Sequence, residues 1–142
     1  SVQKRHGDFD TFLSLPPTAP LRSVTDVQRC LDALEDDIDI VLTITPSRRS
    51  PWFNMVLKDD HGFTRLILNN KNIYRRQDAP KCYDIATVAY AVKPSYILSA
   101  NSIWQGKVTG IEVPIERSLD IDTPFDYRIA ELVVQNTDIY YQ

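Results

Sequence analysis

At 142 residues, with 43% hydrophobic and 25% charged side chains, the chain has the composition of a globular domain and enough apolar surface for a packed core. A formal net charge of −3 argues against a nucleic-acid binder working through a broad basic surface. No apolar run approaches the ~18 residues that span a membrane, and no signal-peptide pattern opens the sequence, so a cytoplasmic protein without membrane contact is expected.

Ser1 to Asp8 is polar and reads as a frayed lead-in. Thr11 to Leu15 is a short apolar strand stopped by Pro16 and Pro17, which throw the chain into a loop. Ser23 followed by Asp26 resembles a capping box with Asp in the usual Glu position. Behind it Val24, Val27, Cys30, Leu31 and Leu34 recur at helical spacing, predicting an amphipathic helix from Val24 to about Asp36. Asp39 to Thr45 is nearly continuously apolar and β-branched, the pattern of a parallel strand buried on both faces. Strand, helix and strand in succession predict a βαβ unit with a right-handed crossover.

Phe53 to Lys58 and Phe63 to Leu68 flank Asp59-Asp60-His61-Gly62, a hairpin signal with a glycine available for the turn. Trp52, Phe53 and Met55 read as an exposed apolar cluster on it, a pattern that marks partner surfaces. Asn69 to Pro80 is polar and carries Arg75 and Arg76, while Arg48 and Arg49 read as solvated loop charge. Thr87 to Val92, with Ala86 before it, is a second buried strand, and Pro94 to Ser99 a short helix or turn. Lys107 to Val113 reads as a strand, and Phe125, Ile129, Leu132 and Val133 mark a last helix with Thr123 as N-cap and Pro124 at its first position. With no repeat and no linker, the expectation is one α/β domain over residues 1–142, its mostly parallel sheet flanked by helices and 53–80 inserted as a hairpin arm.

Cys30 and Cys82 lack zinc-ligand spacing and read as free thiols of a reducing compartment; His6 and His61 are given no role. Asp120 and Asp122 lie two residues apart at what reads as a strand end, so both carboxylates face one side and offer a seat to a hard cation such as Mg2+. Acidic residues before a helix are favoured by its macrodipole with no metal present, and from the spacing alone that is the commoner reading. The glycines, Gly7, Gly62, Gly106 and Gly110, are scattered singly, so the sequence holds no glycine-rich loop to cradle a phosphate.

Four segments in order resemble the acylneuraminate cytidylyltransferases, which join CMP from CTP to sialic acid and related nonulosonic acids. They are Leu15 to Arg22, Arg75 to Pro80, Tyr83 to Tyr90, and Glu116 to Asp126, whose Glu-Arg-Ser-Leu-Asp-Ile-Asp-Thr run is the most specific. The resemblance covers that family's middle and C-terminal portions and implies a truncated, Rossmann-like nucleotide-diphospho-sugar-transferase fold. It implies that Asp120 and Asp122 hold Mg2+ against the nucleotide phosphates, that Arg76 and Gln77 line the sugar-acid site, and that Tyr83 and Tyr90 border it. A guanidinium there makes chemical sense, because its planar fork binds a carboxylate bidentately. The Thr18 to Arg22 loop would sit at the C-terminal edge of the sheet, where open α/β folds bind ligands. No residue is singled out as catalytic. In the family the hairpin region builds a homodimer, so self-association is implied.

The departures narrow what carries over. Pro16 stands where the family commonly has Gln, Ala19 where it has Ser, and Ala86-Thr87 where an Asn-Gly pair shapes the sugar site, which leaves the sugar acid open. This variant form is similar to relatives acting on nonulosonic acids other than ordinary sialic acid. The family's opening strand and glycine-rich basic loop have no counterpart. The reading therefore expects an enzyme's C-terminal two-thirds, inactive alone, taking CTP only if the missing portion is supplied, and with a bared strand edge. A non-catalytic dimeric binding or assembly module derived from that family is the alternative.

Overall fold

The structure is a computed structural model that describes residues 7–69 and 72–136, so the first six residues of the polar lead-in, His6 among them, lie outside the described residues. In chain order the elements are β1 (Phe12–Ser14), α1 (Val24–Asp32), β2 (Ile40–Pro46), β3 (Val56–Lys58), β4 (Thr64–Leu66), β5 (Tyr83–Val92), α2 (Pro94–Ser99), β6 (Val108–Glu112) and α3 (Pro124–Gln135). The chain forms two compact units: Pro46–Asp84 is one, and the segments before and after it make the other.

The first unit is built on a mixed four-stranded sheet in the order β1-β5-β2-β6. β1 runs antiparallel to β5, with Ser14 opposite Tyr90, and β2 runs parallel to β6, with Leu42 opposite Gly110. A Cβ at Gly110 would come within 2.8 Å of Ile44 Cδ1, so glycine lets that side chain lie across the neighbouring backbone. The expected βαβ unit is interrupted. β1 and β2 are not neighbours, because β5 enters between them from much later in the chain. Apolar pattern records that a strand is buried but not which strand lies beside it.

The core joins Cys30, Val41, Ala89 and Ala91, with Val27, Leu31, Leu34 and Ile111 packed around them. Cys30 thus delivers the apolar face of α1, while Val24, at the helix start, is 86% exposed. α1 stops at Asp32, with Ala33 as C-cap, short of the expected Asp36. Continuing it would bring Glu35, Asp36 and Asp37 to the negative end of the helix dipole. Thr43, fully buried on β2, uses its hydroxyl to accept from the Ala89 N–H at 3.2 Å and to donate to the Ala86 carbonyl at 2.6 Å. A side chain thereby satisfies backbone groups of the adjacent strand. One sheet edge is β1, only three residues long, and such shortness blunts the hazard of an open edge.

In the second unit β3 and β4 pair antiparallel, Val56 opposite Leu66. Asp59 accepts from the N–H groups of His61 (3.0 Å) and Phe63 (2.9 Å), and Gly62 takes a φ of 89°, so the turn forms as the residue types predict. Trp52, Phe53 and Met55 are partly buried rather than exposed. The Ser50 carbonyl accepts from Phe53, Asn54 and Met55, curling this segment into a turn ahead of β3. The exposed large apolar side chains among the described residues of this unit are instead Val56, Leu57, Phe63, Leu68, Tyr74 and Tyr83.

Candidate functional site

In the first unit the site forms around the run from Ile115 to Asp126. Beyond β6 the chain makes a 3-10 turn over Ile115–Arg117, closed where Ser118 Oγ donates to the Ile115 carbonyl at 2.8 Å. At the far end Thr123 caps α3 in a full capping box, and the Asp126 carboxylate accepts from the Thr123 N–H at 2.8 Å and the Asp122 N–H at 3.3 Å. The hydrogen bond from the Thr123 hydroxyl, then that from its N–H, hold Asp126 below the usual carboxylate range.

Asp120 and Asp122 therefore lie in an irregular segment between that turn and α3, not at a strand end. The segment is tied to the proline-threonine loop by a backbone bond, from the Ile121 N–H to the Thr18 carbonyl at 2.9 Å. That bond brings together the proline-threonine loop and the two aspartates, which are about a hundred residues apart in sequence. Asp120 is half-buried, and its Oδ1 atom is buried without a hydrogen-bond donor; Asp122 is exposed. Tyr90, on β5, stands close enough to feel that charge: burial raises its hydroxyl pKa, and the Asp120 carboxylate raises it further.

Arg22 turns inward. Its Nε donates to the Ala19 carbonyl at 3.0 Å, Nη1 to the Val88 carbonyl at 3.0 Å, and Nη2 to the Pro16 carbonyl. The guanidinium thus folds the proline-threonine loop back on itself and ties it to β5. A lysine could not do this, since one ammonium cannot reach three carbonyls in a fixed plane.

In the second unit Arg76 and Gln77 open a 3-10 turn, Arg76–Asp78, and share with Tyr83 the lining of a pocket of ≈ 400 Å³. Arg49, Lys81 and Cys82 line it too, giving three cationic side chains and no carboxylate. Arg76 is steadied by a 2.8 Å bond from Nη2 to the Arg48 carbonyl, and the Ser47 N–H bonds the Cys82 carbonyl at 2.9 Å. This lining suits an anion. Of the residues singled out from sequence, Arg76, Gln77 and Tyr83 thus meet in this unit, while Arg22, Tyr90, Asp120 and Asp122 belong to the other.

No family model matches the chain. It is 31% identical over 133 residues to post-translational flagellin modification protein B of Campylobacter coli, an alignment covering 92% of this chain and 55% of that protein. It is 36% identical over 95 residues to the CMP-N,N'-diacetyllegionaminic acid synthase of Campylobacter jejuni, covering 66% of this chain and 39% of the synthase. The chain is cytidylyltransferase-like. Its relationship is to the nonulosonic-acid cytidylyltransferases, and it spans about half the length of the relatives it matches. Among solved structures, 4-diphosphocytidyl-2C-methyl-D-erythritol synthase from Anaerococcus prevotii shares the fold at a TM-score of 0.57 and 16% identity, covering 89% of this chain and 59% of that one.

Among the described residues of the cytidylyltransferase-like chain, no group of three or more His, Cys, Asp or Glu is placed to hold a metal. A pair suffices for Mg2+, which is commonly held by one or two carboxylates with water and substrate phosphates completing its shell. The buried Asp120 Oδ1 fits that reading, because an acceptor buried without a donor is costly until something satisfies it. Two features escaped the sequence. Arg49 and Lys81 join Arg76 only through the fold of the second unit, and no local spacing announces them. The other is a buried ion pair. Arg117, inside the most specific motif, donates from Nε and Nη2 to the two oxygens of Asp26 at 2.7 and 2.8 Å. Residues 91 positions apart in sequence carry no local signal of such a pairing.

Proposed function

We propose that this chain supplies the cation-binding and sugar-acid-binding side of a cytidylyltransferase that transfers CMP from CTP to a nonulosonic acid. The observation that carries the proposal is the Ile121–Thr18 bond, which sets the two aspartates beside the proline-threonine loop and leaves Asp120 Oδ1 waiting for a partner. In that reaction a sugar-acid hydroxyl attacks the α-phosphorus of CTP and gives its proton to solvent, the new O–P bond forms as the bond to the oxygen bridging to the β-phosphate breaks, and pyrophosphate leaves with the electron pair. Asp120 and Asp122 would hold Mg2+, which when bound offsets the charge developing on the phosphate oxygens. Arg49, Arg76 and Lys81 supply a field for the sugar-acid carboxylate, and Gln77 and Tyr83 offer neutral hydrogen bonds to its hydroxyls.

The scattered glycines leave these 142 residues without a glycine-rich phosphate cradle, so turnover requires one from outside them. Self-association fits the second unit, whose Val56, Phe63 and Tyr74 are exposed. A cytoplasmic setting fits the two free cysteines, Cys30 and Cys82. No helix among the described residues is long and apolar enough to cross a membrane.

Titrating the chain with Mn2+ and, separately, with a panel of nonulosonic acids tests the reading. Saturable binding of both is expected, with Asp122→Asn weakening only the cation and Arg76→Ala only the sugar acid. Absence of both would overturn it. The second reading, a non-catalytic dimeric module, is favoured by Ala86 and Thr87 in the place of the family's Asn-Gly pair. It predicts a dimer that takes neither ligand.

A further inference from the structure

The Arg117–Asp26 pair is more than the cap of α1 requires. Capping is complete without Arg117: Ser23 Oγ accepts from the Asp26 N–H at 3.1 Å, and Asp26 Oδ2 accepts from the Ser23 N–H at 3.1 Å. A capping carboxylate ordinarily leaves its other oxygen to water. Here the Asp26 side chain is 0% exposed, and both of its oxygens are taken by one guanidinium. That guanidinium belongs to the last residue of the 3-10 turn, three positions before Asp120.

The consequences run along the backbone. Arg117 fixes where the turn ends, Ser118 closes it, and the next ordered point is Ile121, bonded to Thr18 in the loop that Arg22 pins. Thr123 and Asp126 then hold the start of α3. The segment bearing the two aspartates is thus stretched between fixed ends, and the upstream end is the ion pair. A buried ion pair is a poor device for stability alone, since well-packed apolar residues do as well. Its geometry is what it offers: two parallel bonds fix both the distance and the plane of approach.

We propose that Arg117 is the positioning residue of the aspartate pair, acting through Asp26, and that the N-terminus of α1 is thereby built into the site's framework. The side-chain hydrogen bonds of Arg117 go to Asp26 and not to either aspartate of the pair. It sets the register of residues 118–122 so that Ile121 meets Thr18 and Asp120 keeps its buried oxygen turned away from solvent. Lysine keeps the charge but loses the fork, so Arg117→Lys separates attraction from alignment. The cation readout below rests on the reading of Asp120 and Asp122 as a metal seat; the backbone readout does not.

The test uses the full chain and its Arg117→Lys variant, with amide hydrogen exchange at Ile121 and Mn2+ affinity from the free-ion electron paramagnetic resonance signal. The expected result is a folded variant whose Ile121 amide exchanges at least about 10-fold faster while β2 amides are unchanged, with Mn2+ bound about 10-fold more weakly, as for other outer partners of metal ligands. Unchanged Ile121 exchange would overturn the proposal, whatever happens to Mn2+. If the unaltered chain binds no Mn2+ yet the variant loosens Ile121, the metal reading falls and the positioning role stands. Should Arg117→Lys fail to fold, Asp26→Asn, which keeps the shape of the acceptor but removes its charge, is read in the same two ways.

Discussion

Arg117→Met removes both hydrogen bonds from Arg117 to Asp26 while keeping much of the side chain's apolar stem. Asp26 is fully buried, and the Arg117 side chain is 27% exposed. Deleting one partner of a buried ion pair costs about 3–5 kcal/mol, because the other charge is left without compensation. Water can reach the vacated side through the partly exposed arginine position, so the low end applies, about 3 kcal/mol at pH 7. For a chain of this size that corresponds to a fall of about 9 °C in Tm, at about 3 °C per kcal/mol.

The pH dependence distinguishes this cause from lost packing. Burial alone would raise the Asp26 pKa; the hydrogen bonds from Arg117 and Ser23 outweigh it and hold the group below the usual carboxylate range. Its folded value thus lies below the unfolded one of about 3.9. Asp26 therefore contributes its full stability above that pH and loses it as pH falls through the folded value. In Arg117→Met the Arg117 hydrogen bonds no longer offset burial, so the folded pKa rises and the stability that Asp26 contributes at neutral pH shrinks. The gap between the two proteins should be widest at pH 7 and narrow markedly by about pH 3.5. Urea unfolding followed by circular dichroism at pH 7, 5 and 3.5 measures it, and the same substitution on an Asp26→Asn background should cost far less. A cost below about 1 kcal/mol at pH 7, or one independent of pH, would refute the reasoning.

Thr43→Val leaves the Ala89 N–H without its buried side-chain acceptor and should cost about 1–3 kcal/mol in urea unfolding; a neutral result would mean that β5 repairs the bond from within the sheet. Asp122→Asn should weaken Mn2+ binding in a calorimetric titration while moving stability by no more than about 0.5 kcal/mol, since the residue is exposed and its bond to Asp126 runs through its own backbone N–H. A large loss of stability with unchanged affinity would return the aspartate to a purely structural role at the helix start. A thiol reagent should label partly exposed Cys82 in the folded chain and reach Cys30 only on unfolding, because burial raises the Cys30 pKa and closes access to it. Labelling of both at equal rates would contradict the core placement of α1.

Local chemistry was legible wherever neighbours in sequence do the work. Ser23 with Asp26 and Thr123 with Asp126 form the two capping boxes that residue type and spacing announce. Asp59 and Gly62 shape the hairpin turn, and the apolar runs become β2 and β5. The run from Glu116 to Asp126 also pointed to the family, since its residue types in that order are themselves the signal. Strand ends were less legible: Asp120 and Asp122 follow a strand in sequence, but a 3-10 turn separates them from β6.

Pairings across the chain were decided by the tertiary structure alone. An apolar strand carries no mark of its neighbour, so the entry of β5 between β1 and β2 could not be read from either. A charged residue carries no mark of its partner, so Arg117 finding Asp26, Arg22 turning to backbone carbonyls, and Arg49 with Lys81 joining Arg76 emerged only from the folded chain. The physical reason is one of range. Propensity, capping and turn chemistry act over a few residues, whereas packing and buried charge select among partners at any separation, and only the closed fold shows which was chosen.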